Sequence, residues 1–544
     1  MTPAAELSPW TPLRNRIFLA LFIAQLVSNL GTLMQAVASA WLIGSLGGSA
    51  AEVALVQTAT FLPVFLVGIP AGSLADLFDR RRLLLGAQTT MMATAFVMAA
   101  LTFAGEVSPT GVLALTFVLG IGAALNGPAW SAMQPDLVPK EHFGQAVALS
   151  SMTFNVGRAL GPAIGGLIVA ASGPEWVFTL NGVSFVGTML VLASWRPKTR
   201  VRAFPAETFT GATRAGLRYG LHSQLVRSVL VRVVLMILPG AALSALLPIV
   251  VRGPLGLGSG DYGILLGCFG GGATAGAVLR PRVVRVLHPD ALLGVSAVVM
   301  TAALLIQGYV HNAWLLGVAL IGAGFFWSLA TTATGVIAQS ALPEWVRARG
   351  LALYQLVLTG SVAVGAAAAG FIANRDLETA HLVAAAIVAV SPLAAKRWPL
   401  TWPREFDLTL LPGEEPAVTL APSSNDGPVL VTVAYRVPTE EMEEFAATMR
   451  FVEGHRRRTG AYRWGLFRDL AAPDRFIETF IVSSWAEHLR QHQRQTASSD
   501  ELLQRVRTYI DPSDGVNHYL SSYSPGGLAR HVDDGEIEHF TEEV

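Results

Sequence analysis

From residue 16 to residue 395 the apolar positions follow neither strict alternation nor one helical face; they fill blocks of about twenty residues separated by short polar breaks. That is the length a helix needs to cross the hydrocarbon core of a bilayer. Twelve blocks are read, at about 16–43, 53–74, 83–104, 110–133, 145–170, 176–195, 228–250, 262–279, 290–309, 313–338, 350–372 and 379–395. After Pro399 the pattern changes. Residues 400–428 read as a Pro/Ser/Asp linker, and from Val429 the periods are those of a soluble unit. "VLVTVAYRV" alternates as a strand does, and "PTEEMEEFAATMRFVEGHRRR" has the helical period. "YRWGLFRD" and "RFIETFIVSSW" are strand-like, joined by "LAAPD". A second helix at about 486–510 and a strand at about 516–522 complete a βαββαβ order, and 526–544 is an acidic tail.

The charge of the breaks orders the blocks in space, because short cytoplasmic loops collect Lys and Arg. One side takes Arg14 and Arg16, Arg80 to Arg82, Lys140, the 196–202 cluster, Arg280, Arg282 and Arg285, Arg347 and Arg349, then Lys396 and Arg397. The other side holds Glu52, Glu106, Glu175 and Asp261, with Arg252 and Arg375 as exceptions. Both termini are therefore expected in the cytoplasm. "MTPAAELSPW" has no basic n-region and no cleavage site follows the first block, so that block is read as a retained helix. The 38 basic and 38 acidic residues balance, which argues against a nucleic-acid partner. Cys268 is the single cysteine, so neither an intramolecular disulfide nor a thiolate metal cluster can form.

The longest inner connection, 196–227, divides the membrane part into halves of six helices, 1–195 and 228–399. "MQPDLVPKEHFGQAVAL" after the fourth block echoes "AQSALPEWVRARGLALYQ" after the tenth, as a parallel repeat would. Between the second and third blocks stands "GSLADLFDRRR". Gly72, Asp76, Arg80 and Arg81 match the signature loop of the major facilitator superfamily, which this stretch resembles; Asp79 and Leu83 depart from it. A small residue lets two helices approach, and a carboxylate among bases can hold the cytoplasmic ends in one state and release them in another. A plain positive-inside anchor is the alternative.

"GRALGPAIGG" in the fifth block resembles the glycine-proline motif of that superfamily's antiporter branch, with Gly157, Gly161, Pro162, Gly165 and Gly166 in register. Glycines four apart let a neighbouring backbone come close, and proline leaves a carbonyl unpaired. The resemblance implies a tight, kinked seam that limits leakage during export; generic close packing is the alternative. "GILLGCFGGGATAG", with Gly263, Gly267 and Gly271, is read as that generic kind. Arg158 is a charge inside a span and is expected to face protein or a watery cavity, either holding an anionic substrate or pairing with a carboxylate. Asn155 lies one turn away. In the first block Gln25, Ser28, Asn29, Thr32 and Gln35 recur at three- and four-residue steps, a polar stripe expected to line the cavity, with interhelical hydrogen bonding as the alternative. Gln25, Asn29, Gln35, Asn155 and Arg158 are the candidate substrate residues. Thr116 stands where drug exporters of this branch carry an arginine, and no acid lies mid-span in the first or fourth block, so a proton carrier is not identified.

The soluble piece, 429–525, is similar to the antibiotic-biosynthesis-monooxygenase type of dimeric α/β barrel, which implies a small α+β ferredoxin-like domain able to pair with a second copy. With the major facilitator body, the chain resembles the transmembrane secretion effector family of enterobactin- and macrolide-type exporters. What this implies is an α-helical polytopic membrane protein that exports a small amphipathic molecule, a siderophore or antibiotic, by alternating access with the proton as coupling ion. No catalytic residue, cofactor or metal site is assigned. His488 and His492, four apart, lack a third ligand and are read as a solvated helix face, and Trp464, Trp485 and Phe467 as core or dimer contacts. A membrane-anchored enzyme acting through the soluble domain is the alternative.

Overall fold

The structure, a computed structural model, describes residues 10–77, 79–134, 137–194, 209–402, 418, 422–423 and 426–521. Within them twelve helices are long and apolar enough to cross a membrane. The first half holds α1 (Arg16–Ser45), α2 (Ala50–Leu77), α3 (Arg80–Phe103), α4 (Pro109–Met133), α5 (Phe143–Ser172) and α6 (Pro174–Ser194). A helix absent from the sequence expectation, α7 (Phe209–His222), occupies the central connection. The second half holds α8 (Gln224–Arg252), α9 (Ser259–Val283), α10 (Pro289–Tyr309), α11 (Ala313–Ser340), α12 (Glu344–Ala373) and α13 (Leu377–Val390), the last prolonged by a 3-10 turn at Ser391–Lys396.

Polar residues at the breaks start these helices. Asn15 accepts from the amides of Ile17 and Phe18, Asp79 from Arg82, Ser108 from Gly111 with Pro109 behind it, and Asp376 from Thr379. Each satisfies an amide that the first turn leaves free. The face at which α1 begins is called the near face and the opposite one the far face.

Contacts divide the chain into two compact units. The first, residues 1–206, 228–337 and 354–402, is the membrane bundle. In it α1 packs on α5 and α6, α2 and α3 on α4, α3 on α6, α5 on α9, and α10 on α13. The second unit joins 207–227 and 338–353 to 403–544, so α7 and the turn between α11 and α12 group with the soluble piece rather than with the bundle. Its sheet comprises β1 (Val429–Arg436), β2 (Arg463–Arg468), β3 (Arg475–Val482) and β4 (Val516–Leu520), in the order β2-β3-β1-β4 with every neighbour antiparallel. Helices α14 (Met442–Thr459), α15 (Trp485–Gln493) and α16 (Ala497–Arg507) complete it. The inward residues of β1, Val429, Val431 and Val433, form its core with Phe445, Met449, Val452, Phe480 and Trp485.

Candidate functional site

The glycine-proline stretch lies at the middle and far half of α5, and both of its faces are occupied. Toward α1, a Cβ on Gly161 would stand 2.9 Å from Cβ of Leu33, and one on Gly165 would stand 2.8 Å from Cα of Met34. Toward α9, a Cβ on Gly166 would stand 2.5 Å from the carbonyl oxygen of Ser259 and 2.7 Å from Cα of Gly263. Gly263 in turn abuts the carbonyl of Pro162, and Gly270 abuts the carbonyl of Arg158. These are backbone-to-backbone approaches between the two halves, possible only without side chains.

The role of the proline follows from its chemistry. Pro162 has no amide hydrogen, so the carbonyl four residues earlier, that of Arg158, loses its helical partner. That freed carbonyl is the one against which the backbone of Gly270 is pressed, the arrangement of a Cα–H···O contact. α5 runs on through the proline as one helix. The glycine face of α9, expected to be unrelated packing, is therefore the counterpart of the motif.

A second contact between the halves runs along α2 and α12. Ala51 donates its amide to Oδ1 of Asn374 at 2.9 Å, Thr58 donates to the carbonyl of Ala363 at 2.7 Å, and a Cβ on Gly360 would stand 2.6 Å from the Phe65 ring. Trp41 stacks on Tyr262 with ring centres 6.1 Å apart, and Arg252 lies over Trp41. All these contacts fall between the middle of the bundle and the far face.

The polar stripe of α1 divides between two neighbours. Gln25 Nε2 donates to Asn29 Oδ1 at 3.0 Å, and Asn29 Nδ2 donates to Thr153 Oγ1 on α5 at 3.0 Å, beside Gly157. Gln35, only 4% exposed, faces the other way: its carbonyl accepts from Asn181 of α6 at 2.5 Å and its amide points to Met98 of α3. Packing is thus the correct reading for Gln35, because a two-sided hydrogen bond inside helix packing leaves it no access to a cavity. Asn181, fully buried, was missed; its signal was an amide in the apolar run "VFTLNGVSF". Asn155 is half-buried and donates to the carbonyl of Ser151 on its own helix. Arg158 is half-buried, its guanidinium 6.0 Å from the centre of the Phe154 ring, and among the described residues no carboxylate pairs with it. Gln25, Asn29 and Thr153 are thereby gathered at the midpoint of the α1–α5 contact, whereas Arg158, next to Gly157, turns its carbonyl toward α9.

At the near face, Gly72 and Asp76 occupy the last turns of α2 and Arg80 starts α3, but the side chains of Asp76 and Arg80 lie outside what is described. Arg81 donates through Nε to the carbonyl of Leu192 at 3.0 Å and through a terminal nitrogen to that of Ala193, tying α3 to the end of α6. Asp79, which replaces the second glycine of the signature, caps α3. A cavity of about 480 Å³ lies at the near end of α5, lined among others by Trp10, Glu141, Gln145 and Met152; none of the candidate substrate residues lines it. Arg232 of α8, 3% exposed, was also missed, although the rule that singled out Arg158 applies to it. It reaches Asp290 of α10 at 3.5 Å and the carbonyl of Pro392 at 3.4 Å, joining the near ends of three elements.

In the second unit, Glu487 of α15 takes Arg218 of α7 and Arg494 at 2.7 Å each, and the Arg494 guanidinium lies 4.3 Å from the centre of the Trp345 ring. Burial works to raise the Glu487 carboxyl, but the Arg494 and Arg218 charges outweigh it and hold it below the usual range. Deeper inside, the fully buried Glu478 accepts from Tyr435 at 2.7 Å, Arg456 at 3.0 Å and Trp464 at 2.9 Å. Burial first, then Glu478, pushes the Tyr435 phenol well above its usual value. His488 is 1% exposed, which corrects its reading as solvated; β4 brings His518 beside it, and burial pushes His488 down to about 3 and His492 to about 4. Trp485 is core as expected, whereas Phe467 is exposed.

Twelve long apolar helices, and halves that meet along glycine-lined contacts, define a membrane transporter of the major facilitator class. Solved transporters share this fold. A bacterial homologue of the human lysosomal transporter Spinster, in an inward-facing and unoccupied conformation, matches with a TM-score of 0.56 at 15% identity over 71% of this chain and 98% of that one. A bacterial homologue of the iron transporter ferroportin in an inward-facing state matches with the same score, identity and coverage. The chain belongs to the transmembrane secretion effector family, whose profile matches residues 7–524. It is 26% identical over 357 residues to the enterobactin exporter EntS of Escherichia coli O1:K1, covering 65% of this chain and 84% of that protein. To the staphyloferrin A transporter of Staphylococcus aureus it is 25% identical over 325 residues, 58% of this chain and 79% of that protein. The protein is a multi-pass transporter, not an enzyme.

Proposed function

We propose that the protein exports a small siderophore-like molecule across the inner membrane by alternating access, in exchange for protons and with both termini in the cytoplasm. The observation that carries this reading is the seam. Contacts of α5 with α9, and of α2 with α12, run from the middle of the bundle to the far face, while the hydrogen-bonded group Gln25, Asn29 and Thr153 sits at their inner limit, and Arg158 lies on α5 where its carbonyl meets Gly270. Such an arrangement suits a state that loads from the cytoplasm. Arg158, with no carboxylate partner among the described residues, suits an anionic ligand, and the named relatives are an enterobactin exporter and a staphyloferrin A transporter. Gly72, Asp76, Arg80 and Arg81 are assigned to the cytoplasmic gate, and Gly157, Gly161, Pro162, Gly165 and Gly166 to the seam.

The strand order β2-β3-β1-β4 supports a ferredoxin-like reading of the soluble piece. Its exposed edge strand β2 with Phe467 is suited to pairing with a second copy. A membrane-anchored enzyme is not favoured, because the relatives are transporters. The test is export from cells lacking their own siderophore exporters. Expression of the chain should raise at least one of a catecholate, hydroxamate and carboxylate siderophore in the medium, and Arg158→Gln should lower that export tenfold or more. No rise for any of the three would refute the substrate class.

A further inference from the structure

We propose that His488, His492 and His518 form a site for one divalent transition-metal ion of the zinc class. His488 and His492 are one helical turn apart on α15 and point the same way. Their Nε2 atoms stand 3.4 Å apart, the separation of two nitrogens that share a tetrahedral ion at bonds of about 2.0–2.1 Å. The third ring comes from β4, in the strand position opposite Val431. One ligand nitrogen from each of the three lies within 4.8 Å of the others, so ring rotations of under about 1.5 Å close the triad on one ion.

The polar atoms call for such an occupant. His518 Nε2 and His488 Nδ1 are buried with no hydrogen-bond partner among the described residues, a costly state for imidazole nitrogens. Trp485 packs on both rings, with centres 5.4 Å from His488 and 6.1 Å from His518, and limits their alternatives. The neighbouring cations Arg456 and Arg507 work against positive charge at the rings, Arg456 while ion-paired to Glu478 at 3.0 Å and Arg507 while paired to Asp500 at 3.3 Å. Three imidazoles leave one coordination position for water or an exchangeable ligand, the donor set of open zinc sites. The ion would tie α15 to β4, and α15 carries Glu487, which holds α7 through Arg218.

The test uses full-length protein in detergent, without a polyhistidine tag, stripped with a chelator and titrated with Co²⁺. One Co²⁺ per chain should bind with the visible absorption of a low-coordinate site, and Zn²⁺ should displace it. Bound Zn²⁺ should also slow amide exchange across 485–493 and 516–520. His492→Gln and His518→Gln, both at partly exposed positions, should each weaken Co²⁺ at least tenfold, and His311→Gln, outside the cluster, should not. Should one of the two variants fail to fold, the other carries the test alone. If the wild type gives no visible band at micromolar Co²⁺, or if the band survives the double variant His492→Gln/His518→Gln, the triad is an aromatic packing cluster and the proposal is wrong.

Discussion

At Arg158 the backbone and the side chain part: its carbonyl is covered by Gly270 because Pro162 cannot bond it, and its guanidinium lies over the Phe154 ring with no carboxylate partner among the described residues. The backbone half of this is testable by size. Gly166→Val places a branched side chain against the Ser259 carbonyl and the Gly263 backbone, which cannot yield as a side-chain tip can, so transport should fall more than tenfold at an overpacking cost of about 1–3 kcal/mol. Membrane insertion, followed by surface accessibility and expression, should be nearly unchanged. Gly161→Ala, which meets the Leu33 side chain at 2.9 Å, should be the milder change, and equal transport by the two variants would contradict the account. Arg232→Gln should lower the unfolding midpoint of the bundle by an amount equivalent to about 3 kcal/mol, because it strips a carboxylate of its cation. The glycine motif and Arg158 were legible because glycine, proline and a charge in an apolar run each violate the local rule. Gly263 was seen but not matched to its partner, and Gly270 was passed over for Gly271, where a Cβ would meet nothing, since a seam needs both helices and one chain pattern shows only one. Gln35 misled for a similar reason. Steps of three and four on α1 cover an arc wide enough to face both α5 and α6, and only the fold divides it.

Between elements, the second unit is organised by α15. Glu487 sits between Arg218 of α7 and Arg494, so its loss frees the central helix as well as the tail. Glu487→Gln should raise amide exchange across 209–222 by about tenfold, in line with a charged hydrogen bond of about 1.5–3 kcal/mol; unchanged exchange would mean that α7 is held by apolar contacts alone. The same unit should be sensitive to acid. Burial, with Arg456 and Arg458 beside it, pushes His455 down to about 3, against about 6.5 when unfolded. The unfolded chain therefore takes the proton first, and the stability this residue supplies is complete above about pH 6.5 and falls as pH drops toward 3. Urea unfolding of the soluble unit, followed by circular dichroism in detergent, should show a lower midpoint at pH 5 than at pH 7, and His455→Gln should reduce that difference. The strands and α14 could be read from their periods. Helix α7 could not, because its short stretch of Thr, Gly and Arg has no apolar block and forms a helix only with partners such as Leu353 and Trp345 to cover it.

For the whole molecule, the twelve long apolar helices among the described residues followed from block length, which the bilayer enforces on any sequence. Which faces of the halves meet, and that a turn of the bundle joins the soluble unit, required the three-dimensional contacts. The central claim is export coupled to protons, and inside-out membrane vesicles with an imposed proton gradient test it most directly through a pH-sensitive dye. Addition of a catecholate siderophore should release protons from the lumen only when the protein is present, and Asp76→Asn should abolish the response. A labelled siderophore that crosses while the gradient stays undisturbed would contradict proton coupling and leave a facilitator or sodium-linked exporter in its place.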